Sequence, residues 1–430
     1  MTPPRLAGAR PRWCLALAGL VLLAACVGNG PSNDGPPVTD PPDSGSTVDG
    51  AGTPEAANLT ASPDTVEVEG ARADSAPSGT VPLPRDSLPA GDTLLPVPGH
   101  LRQPMFGVAV QATRGIPLLP ASVDFIRRHR PLLRTAILWS DVETKYGEYG
   151  IPKKYDPVRA LAREAGTKLS VILAYNHELF ACAGGRFRRG VCIQGVASEE
   201  NRDAFLRYVA FLVREMGSEV GLWEIWNEPN AGNFWRPEPN VEDYIALASA
   251  TVDTIRAIDS TAVVVSAGTA AVDFSFVGDL IEAGLHRKVD AIGIHMNMFR
   301  PGSARVREHG EREERPLNEV MSRLENLHAQ TGVRFAVTEF GFPLYSPSYR
   351  DDPLLANVSG ALGSEQQDQL GRVFARVSAS PAIHTILIFQ LQDSRNRRNP
   401  LGATRGLVDG EGNSKPGMTS LATALADSVP

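Results

Sequence analysis

From residue 104 to residue 430 the sequence predicts an α/β fold, a (β/α)8 TIM barrel, on three observations. Short, almost uninterrupted apolar runs recur along the chain. Longer stretches with helical periodicity lie between them. The alternation repeats eight times over about 320 residues, which suits a closed barrel of about 250 core residues with insertions. The runs are Met105–Val110, Leu132–Leu138, Leu169–Ala174, Gly221–Trp226, Ala262–Ser266, Val289–Ile294, Val333–Thr338 and His384–Phe389. Continuous rather than alternating apolar character is what a strand covered on both faces requires, so these runs belong to a parallel sheet with helices outside it.

The intervening segments supply the helices. Glu199–Met216 places Phe205, Val209 and Leu212 on one face, and Val241–Ile258, Leu317–Gln330 and Glu365–Val377 show the same period. Ser198-Glu199-Glu200 and Ser364-Glu365 are N-terminal signals, a hydroxyl cap followed by carboxylates in the first turn. Strand and helix in strict alternation give βαβ units. No Gly-x-Gly-x-x-Gly follows the first run, which disfavours a dinucleotide-binding fold.

Residues 1–103 read differently. Three arginines (Arg5, Arg10 and Arg12) precede the apolar run Leu15–Ala25, which is too short to span a bilayer, so residues 1–25 read as a signal peptide. The run ends Leu23-Ala24-Ala25-Cys26 and resembles a bacterial lipobox, in which the cysteine is lipidated; an ordinary secretory signal with a chance cysteine is the alternative. Residues 26–103 are rich in Pro, Gly, Ser, Asp and Thr and lack aromatics, a composition that cannot bury enough apolar surface to offset the entropy of ordering. They are expected to form a disordered tether between membrane and barrel.

Charge and cysteine usage agree with an envelope location. The net charge of −7 divides into +3 for residues 1–25 and −8 for residues 26–102, leaving −2 for the remainder. A nearly neutral folded part without basic runs offers no footprint for nucleic acid. Of the four cysteines, Cys14 leaves with the signal and Cys26 is lipidated. Cys182 and Cys192 remain, flanking a Gly- and Arg-rich loop. In an oxidising exterior they pair and stiffen that loop; two free buried thiols are the alternative. No second Cys or His pair stands nearby at zinc-ligand spacing.

In a (β/α)8 barrel the chemistry sits at the C-terminal ends of the strands. The fourth predicted strand runs into Trp226-Asn227-Glu228-Pro229-Asn230 and the seventh into Thr338-Glu339-Phe340-Gly341. The two glutamates are 111 residues apart, three βα units of ordinary length, so they face each other across the barrel mouth. A carboxyl on either side of a bond is what glycosidic cleavage needs: one to protonate the leaving oxygen, one on the opposite face of the sugar. That chemistry requires neither metal nor cofactor.

These motifs resemble the clan A glycoside hydrolases, most of all family 39 and related exopolysaccharide hydrolases, over Met105 to about Leu425. The resemblance implies that Glu228 is the acid/base, that Glu339 is the nucleophile of a retaining mechanism, and that Asn227 binds the sugar 2-hydroxyl. Arg134, followed by Trp139 and Val142-Glu143, resembles the second-strand motif whose arginine steadies the nucleophile. Gly406-Leu407-Val408-Asp409 with Lys415-Pro416-Gly417 resembles the closing turn and last helix. The sequence departs from the pattern twice. Strand six ends His295-Met296-Asn297-Met298, without the usual aromatic, and strand eight reads Ile388-Phe389-Gln390-Leu391-Gln392, without the usual Trp.

Further candidates for the sugar site are His295, with a satisfied core histidine as the alternative, His177 after strand three, and Trp235, which offers a flat face to a pyranose or else packs its own loop. The expected partners are a polysaccharide or oligosaccharide and, through Cys26, a membrane; a monomer is expected. The expected location is the cell envelope, at the outer membrane or cell surface rather than the inner membrane. A catalytically silent glycan-binding lipoprotein and a transglycosylase are the rival readings on the same barrel.

Overall fold

Eight strands form one parallel sheet in the computed structural model: β1 (Met105–Ala109), β2 (Leu132–Leu138), β3 (Leu169–Ala174), β4 (Val220–Ile225), β5 (Val264–Ser266), β6 (Ile292–Asn297), β7 (Phe335–Gly341) and β8 (Ile383–Ile388). Their order is β6-β7-β8-β1-β2-β3-β4-β5, and parallel bridges Val265–Ala291 and Thr269–Ile294 join the two ends, closing the barrel. The structure describes residues 104–111, 117–180, 182, 187–188, 191–298, 301–349, 369–394 and 403–427, all within the compact unit Ala90–Pro430. The predicted signal segment 1–25, Cys26, the whole of the tether to residue 103 and the predicted helix start Ser364-Glu365 lie outside them.

A helix follows each strand: α1 (Pro120–His129), α2 (Asp156–Ala165), α3 (Glu199–Met216), α4 (Val241–Ile258), α5 (Phe274–Glu282), α6 (Leu317–Thr331), α7 (Gln369–Ser378) and α8 (Pro416–Asp427). The sequence explains their bounds. Ser198 Oγ accepts the Asn201 amide and Asn240 Oδ1 the Asp243 amide, N-caps each worth about 1 kcal/mol. Gly166 and Gly332 end α2 and α6 in the left-handed conformation (φ 67° and 74°). Inward, α3 buries Phe205, Tyr208, Val209 and Leu212 completely. Each such side chain contributes roughly 1.5–3 kcal/mol by leaving water.

The barrel interior is layered. Leu222, Val265, Ala291 and Ala336 form a small apolar plug low in the barrel. One step up each strand, two residues on because side chains alternate, stand Arg134 on β2, Glu224 on β4 and Gly293 on β6. The layer changes from apolar to charged at the level where the strands approach their C-terminal ends. Outward-facing residues of the same strands, such as Trp223, Ile225 and Val337, belong to the large core shared with the helices.

Two features differ from the sequence expectation. Strand six begins three residues later than the apolar run suggests, because Val289 lies in the turn and Asp290 uses its carboxylate to accept the Val264 amide (2.8 Å). The strand runs on to Asn297, so that His295 and Asn297 lie on its inner face. A hairpin, Ser303–Glu308 with Glu311–Pro316, is inserted after β6. Its alternating Arg and Glu residues gave no apolar signal. Cys182 and Cys192 form a disulfide, with Cα atoms 6.1 Å apart.

Candidate active site

Glu224 is the foundation of the site, and sequence reasoning gave it no role. It is wholly buried in β4, where an isolated carboxylate would be costly. Arg134 compensates it with a bidentate grip, Nε to Oε2 at 2.7 Å and Nη2 to Oε1 at 3.0 Å. The remaining arm, Nη1, reaches Glu339 Oε1 at 3.0 Å, and Nη2 also reaches Asn227 Oδ1 at 3.4 Å. One guanidinium thus ties the ends of β4 and β7 together. Burial disfavours its charge, but Glu224 and Glu339 outweigh that and hold it protonated above its ordinary range. The signal for Glu224 was available: a charged residue inside an apolar strand, on the face that alternation assigns to Leu222.

Glu339 reaches the mouth through an irregularity. Val337 pairs with Ile294, but the next pair is Glu339 with His295, so Thr338 is an extra residue in β7; the register against β8 shifts at the same place. A bulge of this kind bends the strand and re-aims the side chain that follows. Glu339 then meets Arg134 on one oxygen and Asn297 Nδ2 on the other, at 3.3 Å. Burial raises its pKa; the charges of His295 and Arg134 and the hydrogen bonds from Arg134 and Asn297 prevail, leaving it below the usual carboxylate value. The bulge could not be read from sequence.

Glu228 stands opposite, beyond β4. Trp226 and Glu228 both have positive φ (73° and 50°), a conformation that costs non-glycine residues of order 1–3 kcal/mol each and that clusters at functional sites. The chain is held there by Trp226 N to Leu173 O (3.0 Å) and Glu228 N to Gly268 O (2.9 Å). His295 links the two carboxylates, its Nδ1 2.8 Å from Glu228 Oε1 and 3.7 Å from Glu339 Oε2. Gly268 makes room for the ring, since a Cβ there would overlap His295 Nε2. Burial lowers the pKa of His295, but Glu339 first and then Glu228 bring it above 6.5. One oxygen from each glutamate and a ring nitrogen of His295 lie within 4.8 Å of one another.

These three are the one group among the described residues with the donor set for a divalent cation. Both Glu339 oxygens already accept hydrogen bonds from Arg134 and Asn297, and the Arg134 charge at 3.0 Å opposes a second cation. The arrangement is better suited to moving a proton.

Asn297 and Arg405 also escaped the sequence analysis. Arg405 Nη1 donates to Asn297 Oδ1, which turns the amide so that its nitrogen faces Glu339. Arg405 is 8% exposed, and burial pushes its pKa down to about 10. The alternation His295, Asn297 on one strand face was the available clue.

Two expected site residues are placed elsewhere, and both readings are corrected. His177 is buried, with Nε2 2.8 Å from Glu143 O and Nδ1 accepting the Leu179 amide (3.0 Å). Both ring nitrogens serve the backbone. Trp235 is 1% exposed and packs edge-on against Trp226 (5.2 Å), so it presents no face to a sugar. A large aromatic in a loop gains more from burial than from a surface position. Arg134, Asn227, Glu228, His295 and Glu339 are brought together.

The chain matches no family model and no curated protein. Its fold is similar to that of a family 39 glycoside hydrolase from Bacteroides cellulosilyticus WH2 (19% identity, TM-score 0.57, covering 75% of this chain and 64% of that one). This chain therefore spans under two thirds of that relative's length. Similar likenesses hold for a family 39 β-xylosidase from Caulobacter crescentus (17%, TM-score 0.54, 76% and 72%) and xylanase 10B from Thermotoga petrophila RKU-1 (16%, TM-score 0.52, 75% and 94%). At such identities the likeness establishes the barrel fold that these glycoside hydrolases share.

Proposed function

We propose that this protein hydrolyses O-glycosidic bonds in a polysaccharide or oligosaccharide by a retaining double displacement. The observation that carries the reading is the pairing of Glu228 and Glu339 at facing strand ends, with one oxygen of each within 4.8 Å. Retaining enzymes place their carboxyl groups about 5–5.5 Å apart and inverting ones roughly 6.5–9.5 Å, and a nearest oxygen pair within 4.8 Å is compatible with the shorter spacing. Glu339, kept ionised by Arg134, Asn297 and His295, attacks the anomeric carbon. Glu228 gives its proton to the departing oxygen, forming a glycosyl ester on Glu339. Glu228 then takes a proton from the incoming water, whose oxygen displaces Glu339. His295 assists the change of role. Esterification removes the charge of Glu339, the foremost group that raises the pKa of the imidazole, so His295 beside Glu228 gives up its proton more readily. Asn227, held by Arg134, is the group assigned to the sugar 2-hydroxyl.

The test is Glu228→Ala on a dinitrophenyl glycoside, whose leaving group needs no proton. The variant should give a burst of phenolate and then stall, with a mass increase on Glu339, and azide should restore turnover to a glycosyl azide of retained configuration. A product of inverted configuration would remove Glu339 from the nucleophile role. Wild-type protein that turns over no glycoside at all would favour the silent binder.

The anchoring reading rests on sequence alone: lipidation at Cys26 after cleavage of residues 1–25 places the barrel at the cell envelope. Cys26→Ser should leave the membrane fraction or remain uncleaved; correct processing and retention in the membrane would overturn it.

A further inference from the structure

We propose that a hollow of about 400 Å³ on the rim beside β2 and β3, with Tyr146 as its platform, binds uncharged sugar units of the polymer away from the bond being cut. The inference rests on the glycosidase reading and adds to it the substrate class, a neutral chain several residues long. The hollow is lined by Tyr146, Phe180, Glu199, Glu200, Asp203 and Arg207. Tyr146 lies in the loop after β2, Phe180 in the loop after β3, and the others on the first three turns of α3. All stand at the C-terminal end of the barrel, as do Glu228 and Glu339. Arg134, which holds Glu339, belongs to β2, the strand whose loop carries Tyr146.

Tyr146 is 71% exposed and Leu179, next to Phe180 in the chain, is 48% exposed, and these are the large apolar side chains that the described surface leaves open. Tyr146 is firmly held. It sits at the tip of a tight hairpin whose strands pair Lys145 with Glu148, next to Gly147 at φ 75°. The Gly147 amide donates to Glu143 Oε1 (2.7 Å), and the other oxygen of this buried carboxylate accepts Trp139 Nε1 (2.6 Å). Behind Tyr146, Phe180 lies at 5.7 Å and is itself stacked on Trp139 at 4.9 Å. A fixed flat apolar face suits the C–H face of a pyranose, which loses little entropy by settling on it.

The polar wall fixes the kind of sugar. Glu199, Glu200 and Asp203 are exposed and make no ion pair or hydrogen bond among the described residues. The helix dipole accounts for the two glutamates of the first turn, but its effect has faded at Asp203. Three carboxylates against Arg207 are acceptors for sugar hydroxyls and repel uronates and sulfates.

The experiment is affinity electrophoresis of the full chain carrying Glu339→Gln, which binds without cutting, in gels containing xylan, β-glucan or galactomannan, with alginate as the acidic counterpart. At least one neutral polysaccharide should retard the protein. Tyr146→Ala should weaken that retardation by about fivefold to tenfold, a loss of the size expected for one stacked ring, and Tyr146→Phe should preserve it. In the active protein, Tyr146→Ala should leave turnover of aryl monoglycosides unchanged. Equal retardation of Tyr146→Ala and its parent, retardation by alginate alone, or no retardation by any neutral polymer would each overturn the proposal. Failure of the glycosidase reading would appear separately, as wild-type protein inert toward aryl glycosides.

Discussion

Replacing Arg134 by Met tests whether the site is built on the buried Arg134–Glu224 pair. Both Glu224 oxygens are gripped by Arg134, at 2.7 and 3.0 Å, and the side chains are 3% and 0% exposed. The substitution removes the cation and leaves the carboxylate inside the barrel, with the Gly268 amide at 3.3 Å as its remaining donor. Breaking a buried pair from one side costs about 3–5 kcal/mol, whereas replacing both partners by apolar groups is close to neutral. With an unfolding entropy of about 2.1 cal/mol/K per residue, a barrel of about 330 residues loses some 1.5 °C in Tm per kcal/mol, so the single variant should melt about 4–7 °C lower. Arg134→Met with Glu224→Leu should recover most of that loss. Activity should stay low in both, because neither restores the 3.0 Å contact with Glu339. Thermal and denaturant unfolding beside kcat/KM measures both quantities. A single variant within about 1 kcal/mol of wild type, or a double variant that regains activity along with stability, would refute the reasoning.

Glu339→Gln should abolish hydrolysis with the fold intact, because the amide is nearly isosteric but a poor nucleophile; wild-type turnover would sink the assignment. His295 titrates above 6.5 in the folded protein, so its linkage stabilises the fold fully below about pH 6.5 and is lost as pH rises through the raised value. The Tm of His295→Gln should lack that component of the decline on the alkaline side, and parallel Tm–pH curves for the two proteins would count against it. The Cys182–Cys192 peptides should appear linked in a non-reduced digest, and replacing both cysteines by serine should cost roughly 2–3 kcal/mol; two freely alkylated thiols would rule the bond out.

The barrel and its two glutamates were legible because the signals are local. Short continuous apolar runs alternating with helix-period stretches suit strands covered on both faces, a cap such as Ser198 marks a helix start, and counting strands puts Glu228 and Glu339 at the C-terminal ends of the fourth and seventh. The pairing of Cys182 with Cys192, expected from the loop they flank and from an oxidising exterior, is present. What decides how the glutamates are held is not local. Glu224 finds its cation 90 residues away on β2, and Arg405 orients Asn297 across 108 residues, so no window of sequence contains both partners. The extra residue Thr338 in β7 arises from pairing with both neighbouring strands at once, and a one-residue change of register decides where Glu339 points. Trp235 and His177 show the same limit from the other side. Their chemistry suits a sugar site, but the space left by Trp226 and the free carbonyl of Glu143 claimed them for the interior. Sequence by itself determined the fold and put Glu228 and Glu339 at the ends of their strands; tertiary packing decided which face each side chain presents, because that depends on neighbours brought in from distant strands.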